Sequence, residues 1–255
     1  MIFIGQQCVI SKPSINFEVL NEFFDNESLN WSRTYGAMQA DELVEFSGRV
    51  CYMSFGDKQS PRNNNSYIKN IIKNGHESIL EHAVWSFFVT GVTRSFSHQL
   101  VRHRVGFSFS QLSQQYHDES DAEFIPPIGL DPTSLAYEVW NNQTALAKKV
   151  YNKSINKMIG KRNLREIPKE ELRLIRETSR SLLPNCTETK VAVTANARAI
   201  RNFLKIRGVI EGDLEMRFFS TKLLSLLKPE APAIFHDLEV IEKHSDGYPI
   251  IRVNI

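Results

Sequence analysis

Val84-Trp85-Ser86-Phe87-Phe88-Val89-Thr90 decides the fold class, because no other stretch of the chain reads so plainly as a strand. β-Branched and aromatic side chains fill it, and such side chains suit a pleated, half-buried surface. Upstream, Tyr67, Ile68, Ile71 and Ile72 fall at helical spacing and stop at Asn74-Gly75, a pair that favours a helix end. Downstream, Phe96 and Leu100 stack at i,i+4 and predict a helix running into Arg102-His103-Arg104. Farther out, residues 135–161 read as a long helix. Pro168 opens another, PKEELRLIRETSRSLL, with proline in a favoured first-turn position and acids behind it. VAVTA, over 191–195, is a second strand-like run, followed by helices over 196–207 and 212–227 and then a Pro-rich tail. Toward the N-terminus, IFIGQQCVI and NFEVL read as short strands ahead of a turn-rich stretch. Helices and strands mix without a βαβ rhythm, which predicts an α+β fold. No internal repeat or low-complexity linker interrupts the chain, so one domain is expected over 1–255.

The 255 residues are 42% hydrophobic and 24% charged, enough apolar chain to bury a substantial core. A net charge of +2 gives no global attraction to nucleic acid or to acidic membranes, so an anion site has to come from local clusters of Arg. The N-terminus has no basic region before its apolar residues and is broken by Gly5, Gln6 and Gln7, unlike a signal peptide. The near-apolar run over 84–92 is about half of what a membrane-spanning helix needs. Cys8, Cys51 and Cys186 are odd in number and widely spaced, which argues for a reducing compartment and a cytoplasmic protein.

Chemistry concentrates in a few blocks. The first is HQLVRHR over 98–104, followed after eight residues by Ser113-Gln114-Gln115-Tyr116. Two guanidiniums flanking an imidazole suit phosphate, although an isolated RHR also fits a solvated basic turn at a helix end. His103 between two cations is a poor metal ligand. The second block is TANAR over 194–198, followed by NFLKIR over 202–207. Arg198 and Asn202 share a helical face, and their donors and acceptors suit the edge of a heterocycle. Asn196 also fits an N-cap. A third feature, His76-Glu77-Ser78-Ile79-Leu80-Glu81-His82, lacks HExxH spacing, so no metal is expected there. Arg173, Arg176 and Arg180 form one basic stripe. Glu170 and Glu177 are expected to pair with Arg173 along it, leaving Arg180 free to face inward.

In combination, HQLVRHR with SFSQLSQQY, GHESILEH, and SRSLLPNCTETKVAVTANARAIRNFLKIR closely resemble the flavin-dependent thymidylate synthases, over residues 45–235 and in the right order. The resemblance implies a central, mostly antiparallel sheet flanked by helices, and a homotetramer whose sites are shared between subunits. It implies FAD held by Ser78, Glu81, Arg102, His103, Arg104, Asn196, Arg198 and Asn202. It further implies dUMP held by Gln99, Arg102, Gln111, Ser113, Gln115, Arg180 and Arg207. Methylenetetrahydrofolate would supply the one-carbon unit and NADPH the hydride. Arg207 would stabilise the negative charge that develops as C5 of uracil becomes nucleophilic. No cysteine matches a nucleophile position.

Four positions depart from the family pattern. Gln115 stands where relatives usually carry Arg, behind eight rather than seven intervening residues, and Gln111 stands where many carry Glu. Glu211 and Asp213 stand where His and Gln are frequent. A same-fold enzyme adding a methyl or hydroxymethyl group to another pyrimidine nucleotide is the nearest alternative. A single-stranded nucleic-acid binder stacking bases on Phe107 and Phe109 is a more distant one, disfavoured by the near-neutral charge.

Overall fold

A computed structural model describes residues 6–254. β1 (Gln6–Ser11) is followed by α1 (Phe17–Asn26), α2 (Gln39–Val50) and α3 (Asn64–Lys73). A 3-10 segment at Glu77–His82 leads into β2 (Val84–Thr93), α4 (Arg94–Leu100) and β3 (Phe107–Gln111). Next come α5 (Leu135–Ile159), α6 (Lys169–Arg180), β4 (Glu188–Asn196), α7 (Ala197–Arg207) and α8 (Leu214–Leu227). β5 (Leu238–Ile241) and β6 (Ile250–Val253) form an antiparallel hairpin at the end of this order.

Four strands hydrogen-bond in the order β1-β2-β4-β3. On β2 and β4, Ser86 Oγ meets Thr194 Oγ1 at 2.8 Å, and Gly91 N donates to Glu188 Oε1 at 2.8 Å. Rising positions on one strand meet falling positions on the other, so the pair is antiparallel. β3 runs against β4 in the same sense: Asn196 N donates to Gly106 O and Leu112 N to Lys190 O. The α+β architecture expected from the strand at Val84 is the one found. Within β2, Trp85, Phe87 and Val89 are buried while Val84 and Phe88 are exposed, the period of two that a half-buried strand requires. No helix among the described residues is long and apolar enough to cross a membrane.

Two compact units share these elements. The first comprises Val89–Arg102 and Ser110–Ala192; the second comprises Gln7–Phe88, His103–Phe109 and Val193 onward. In the first, Tyr151 and Ile155 of α5 pack on Ile175 of α6, with Ile159 and Leu183 against them. In the second, Phe24, Trp31 and Phe55 form an aromatic cluster with Phe46. The inner face of α2 mixes charge with apolar packing: Asp41, Glu42, Glu45 and Arg49 are buried beside Ala40 and Val44. Arg49 and Glu45, both fully buried, meet at 2.7 Å, and Asn64 Nδ2 donates to Glu45 Oε2 at 2.8 Å.

Several local expectations are corrected. Of the N-terminal strand, residues 6–11 form β1, while positions 2–5 lie outside the described residues. NFEVL is helical: Asn16 caps α1 by accepting from Val19 N, and Phe17, Leu20 and Phe24 recur at helical spacing. The turn-rich stretch contains α2. α4 stops at Leu100, so Arg102-His103-Arg104 lies beyond it in a turn, and Phe107–Gln111 forms a strand that no sequence expectation covered. Pro168 precedes the first helical residue of α6, which ends at Arg180.

Candidate active site

The first unit holds a cavity of about 400 Å³. Thr93 caps α4 by accepting from Phe96 N at 2.9 Å, and the helix then places Arg94 and His98 one turn apart. Both face the cavity, while Phe96, Ser97 and Leu100 are buried. Arg94 is fixed by Leu112 O at 3.0 Å and Thr189 Oγ1 at 3.4 Å. Burial lowers the Arg94 pKa and Glu119 opposes the shift, but a guanidinium remains charged. Arg180, in the last turn of α6, supplies a second cation to the wall. Gln114 supplies an amide that is 6% exposed, and its Nε2 has no hydrogen-bond partner among the described residues. A buried donor without an acceptor is costly, and here it sits on the wall of a cavity that carries two guanidiniums. Such a donor set fits a phosphate or another compact anion.

The first unit also places Gln99, Arg102, Gln111, Ser113 and Gln115. Gln99 is half-buried on α4, and Arg102 is exposed in the turn after it. Gln111 Nε2 donates to Ser97 Oγ at 2.8 Å and Thr189 Oγ1 at 3.1 Å, and Ser113 Oγ accepts from Gln115 N at 3.4 Å. The Gln115 side chain bonds to Glu177 and to Arg173 of α6. Arg173 pairs with Glu170 at 3.5 Å, as its spacing predicts. Glu177 pairs with Arg180 at 2.7 Å instead, so Arg180 is not a free cation. The i,i+3 geometry decides this, because Glu177 lies one turn before Arg180 on the same face.

The second unit gathers the other expected residues around the start and end of α7. Arg207, in its last turn, donates from Nε to His103 Nε2 at 3.0 Å. With Nε2 accepting, the ring proton sits on Nδ1 and the imidazole is neutral. Burial, and then the Arg207 charge, push the His103 pKa below the ordinary value. Phe203 packs edge-on against the ring at 4.9 Å. Asn196 caps α7, its side chain accepting from Ala199 N at 2.9 Å. The turn after Arg104 lies close on this cap. Gly106 has φ +74, and a Cβ there would stand 2.7 Å from Ala199 Cβ and 2.8 Å from Asn196 Nδ2. Arg198 pairs with Glu81 at 2.7 Å and lies 3.9 Å from Glu77. Arg198 and Asn202 share an exposed face, and Ser78 and Arg104 are also exposed.

Among the cavity residues, Arg94 lies outside the motif blocks, while His98 and Gln114 lie inside them without an expected role. The i,i+4 spacing of Arg94 and His98 behind a Thr cap was the available signal. Gln114 carried none, because a glutamine among glutamines reveals nothing of its burial. Departures from the family pattern have structural partners here: Glu211 lies 2.9 Å from His244, and Asp213 caps α8.

Comparison with known proteins supplies the class. The model of the family described as thymidylate synthase complementing protein matches residues 35–233. A flavin-dependent thymidylate synthase of Mycolicibacterium vanbaalenii is 39% identical over 203 residues, covering 78% of this chain and 80% of that protein. The enzyme of the same name from Corynebacterium aurimucosum is 35% identical over 235 residues, 91% of this chain and 93% of that protein. That of Mycobacterium tuberculosis strain H37Ra is 40% identical over 202 residues, 78% of this chain and 79% of that protein. The chain belongs to the thymidylate synthase complementing protein family. It is an enzyme of the flavin-dependent thymidylate synthase kind.

Proposed function

We propose that this enzyme carries out the FAD-dependent reductive methylation of dUMP to dTMP, with methylenetetrahydrofolate as one-carbon donor and NADPH as reductant. The observation that carries the nucleotide assignment is the buried Nε2 of Gln114, without a hydrogen-bond partner among the described residues, on a wall shared with Arg94 and Arg180. In this reading those three groups bind the 5′-phosphate, with Gln99, Arg102 and Ser113 supporting them and Gln115 acting on the wall through Glu177. Gln111 holds the floor through Ser97 and Thr189. Arg207 steadies the uracil carbonyl as charge develops on the ring, and His103 fixes the plane of the guanidinium.

For FAD, the donor set of the second unit fits. His103, Arg104 and Arg198 offer positive or polar N–H groups to a pyrophosphate and to ring carbonyls, and Asn196 and Asn202 offer amides to the ring edge. Ser78 and Glu81 complete the set of this unit, with Glu81 orienting Arg198. Bound FAD would relay the one-carbon unit and the reducing equivalents. We further propose one catalytic domain, a cytoplasmic homotetramer with sites completed by neighbouring subunits, and no role for metal, membrane or nucleic acid. C5 modification of a different pyrimidine nucleotide is the second reading. It is favoured by Gln115, which bonds to α6 and brings no charge of its own to a phosphate.

The expected result is a protein that takes up FAD, shows flavin absorbance, and perturbs that spectrum on adding dUMP more than on adding deoxyuridine. Replacing Arg198 or Asn202 with Ala should weaken FAD by roughly 1–3 kcal/mol each, the scale of a lost hydrogen bond to a charged or buried group. A protein that stays colourless with excess FAD would refute the assignment. A dTMP yield below that of another C5-modified nucleotide would select the second reading.

A separate expectation concerns the thiols. Cys8 and Cys51 are exposed and Cys186 is half-buried, with burial raising the Cys186 pKa. A thiol raised in pKa is a poor nucleophile. Replacing all three with Ala should leave dTMP formation intact in folded, FAD-loaded enzyme. Loss of turnover there would establish a cysteine mechanism instead.

A further inference from the structure

The cavity carries a carboxylate among its cations. Glu177 lines it beside Arg94, His98 and Arg180 and lies 2.7 Å from the Arg180 guanidinium. A carboxylate only accepts hydrogen bonds, so on this wall it repels an entering anion and competes for Arg180. Hydrogen bonds from Arg180, and then from Gln115, lower its pKa, so it stays ionised.

Helix geometry alone does not hold it. Gln115 Nε2 donates to Glu177 Oε2, and Gln115 Oε1 accepts from Arg173 Nε at 3.2 Å. The four side chains run Arg173, Gln115, Glu177, Arg180: cation, amide, anion, cation. An amide suits the second place, since it gives a donor to the carboxylate and an acceptor to the guanidinium at once. Arg176 pins the same segment to α6 by donating to Tyr116 O at 2.6 Å.

We infer that Glu177 is an internal counter-ion of the anion cavity, and that Gln115 is the positioning residue that holds it on Arg180. The inference rests on the phosphate role proposed above for this cavity. An entering phosphate has to share Arg180 with Glu177, so the charge of the wall alone does not secure it. Contacts from the rest of a nucleotide then decide occupancy, and free inorganic phosphate is disfavoured as a competitor.

Calorimetric titration of dUMP, deoxyuridine and inorganic phosphate against wild type, Glu177→Gln and Gln115→Leu tests this. Glu177→Gln keeps the shape and the bond to Gln115 but removes the charge. It should tighten dUMP and inorganic phosphate by about two- to fivefold, the scale of a partly exposed ion pair, while deoxyuridine is unmoved. Gln115→Leu should move both anions in the same direction by less, because Glu177 is then held by Arg180 alone. Wild type binding deoxyuridine as well as dUMP would overturn the phosphate role and this inference with it. A clear dUMP preference that Glu177→Gln leaves unchanged or weakens would overturn the inference alone. Equal shifts in dUMP and deoxyuridine would mark the effect as structural, and a Gln115→Leu variant identical to wild type would remove Gln115 from the device.

Discussion

Replacing Arg207 with Ala is expected to lower kcat by about a hundred- to a thousandfold in folded, flavin-loaded enzyme, the cost of removing one preorganised donor from developing charge. The expectation follows from where the guanidinium is held. It stands in the last turn of α7, a favourable end for a cation, and its Nε–H is given to His103 Nε2 at 3.0 Å. That bond fixes the guanidinium plane before substrate arrives, so little reorganisation is needed when charge develops. Arg207→Lys should recover little of the rate, because an ammonium keeps the charge but loses the planar fork. The His103 ring reports on the same bond. Burial and the Arg207 charge hold its pKa below the ordinary 6.5, so the ring stays neutral and able to accept as pH falls through that value. Arg207→Ala removes the second of those causes, and the His103 pKa followed by NMR should rise. A folded Arg207→Ala enzyme with wild-type kcat would end the assignment, and an unmoved His103 titration would show that the two side chains do not meet in solution.

What the sequence made legible, and what it hid, divides along a physical line. β2 was plain because Trp85, Phe87 and Val89 alternate with exposed neighbours over a single strand. α3 and α7 were plain because each ends or begins on a residue with one clear duty, Asn74-Gly75 and the cap at Asn196. α2 was hidden because its buried face includes Asp41, Glu42, Glu45 and Arg49. A search for apolar periodicity misses a helix that buries four ionisable side chains among its apolar ones. β3 was hidden by its length: Phe107 and Phe109 stack at 5.7 Å, but two aromatics between serines also read as a loop. Around the site, features that depend on one local contact were legible, among them the N-cap at Asn196. Arg94, His98 and Gln114 were not, because their relation is created by the packing of α4 and the 113–117 segment around α6. Arg180 was seen as facing inward but not as paired, since Glu177 lies within about one turn of both Arg173 and Arg180, and only side-chain placement decides which it joins.

The largest stability effect is expected from Asp237→Asn, at about 3–5 kcal/mol, because it leaves a buried guanidinium without its counter-charge. Arg201 of α7 is 2% exposed and grips Asp237 with both terminal nitrogens, at 2.6 and 2.8 Å, while also donating to Ile234 O. Lys205 reaches the same carboxylate at 3.2 Å. Burial works to raise the Asp237 pKa, but the hydrogen bonds and charges of Arg201 and Lys205 outweigh it and hold the group at about 2, against an ordinary 3.8. A carboxylate with a depressed folded-state pKa contributes stability above the unfolded value and loses it as pH falls from 3.8 toward 2. At roughly 1.4 kcal/mol per pH unit, that contribution is about 2–3 kcal/mol at neutral pH. Asp41 acts with the opposite sign: burial pushes it up to about 6 against the N–H groups of Ala233 and Ile234 that work to lower it. Its contribution is full at low pH and declines as pH rises through 6, so the acid profile of wild type alone mixes the two. The difference between wild type and Asp237→Asn isolates the pair with Arg201. Melting at pH 7 should fall by roughly 6–20 °C for a chain of this size, and the gap should narrow as pH drops below 3.8. A variant that melts within about 2 °C of wild type at pH 7 would show that the charged clamp on α7 stabilises the fold by less than 1 kcal/mol.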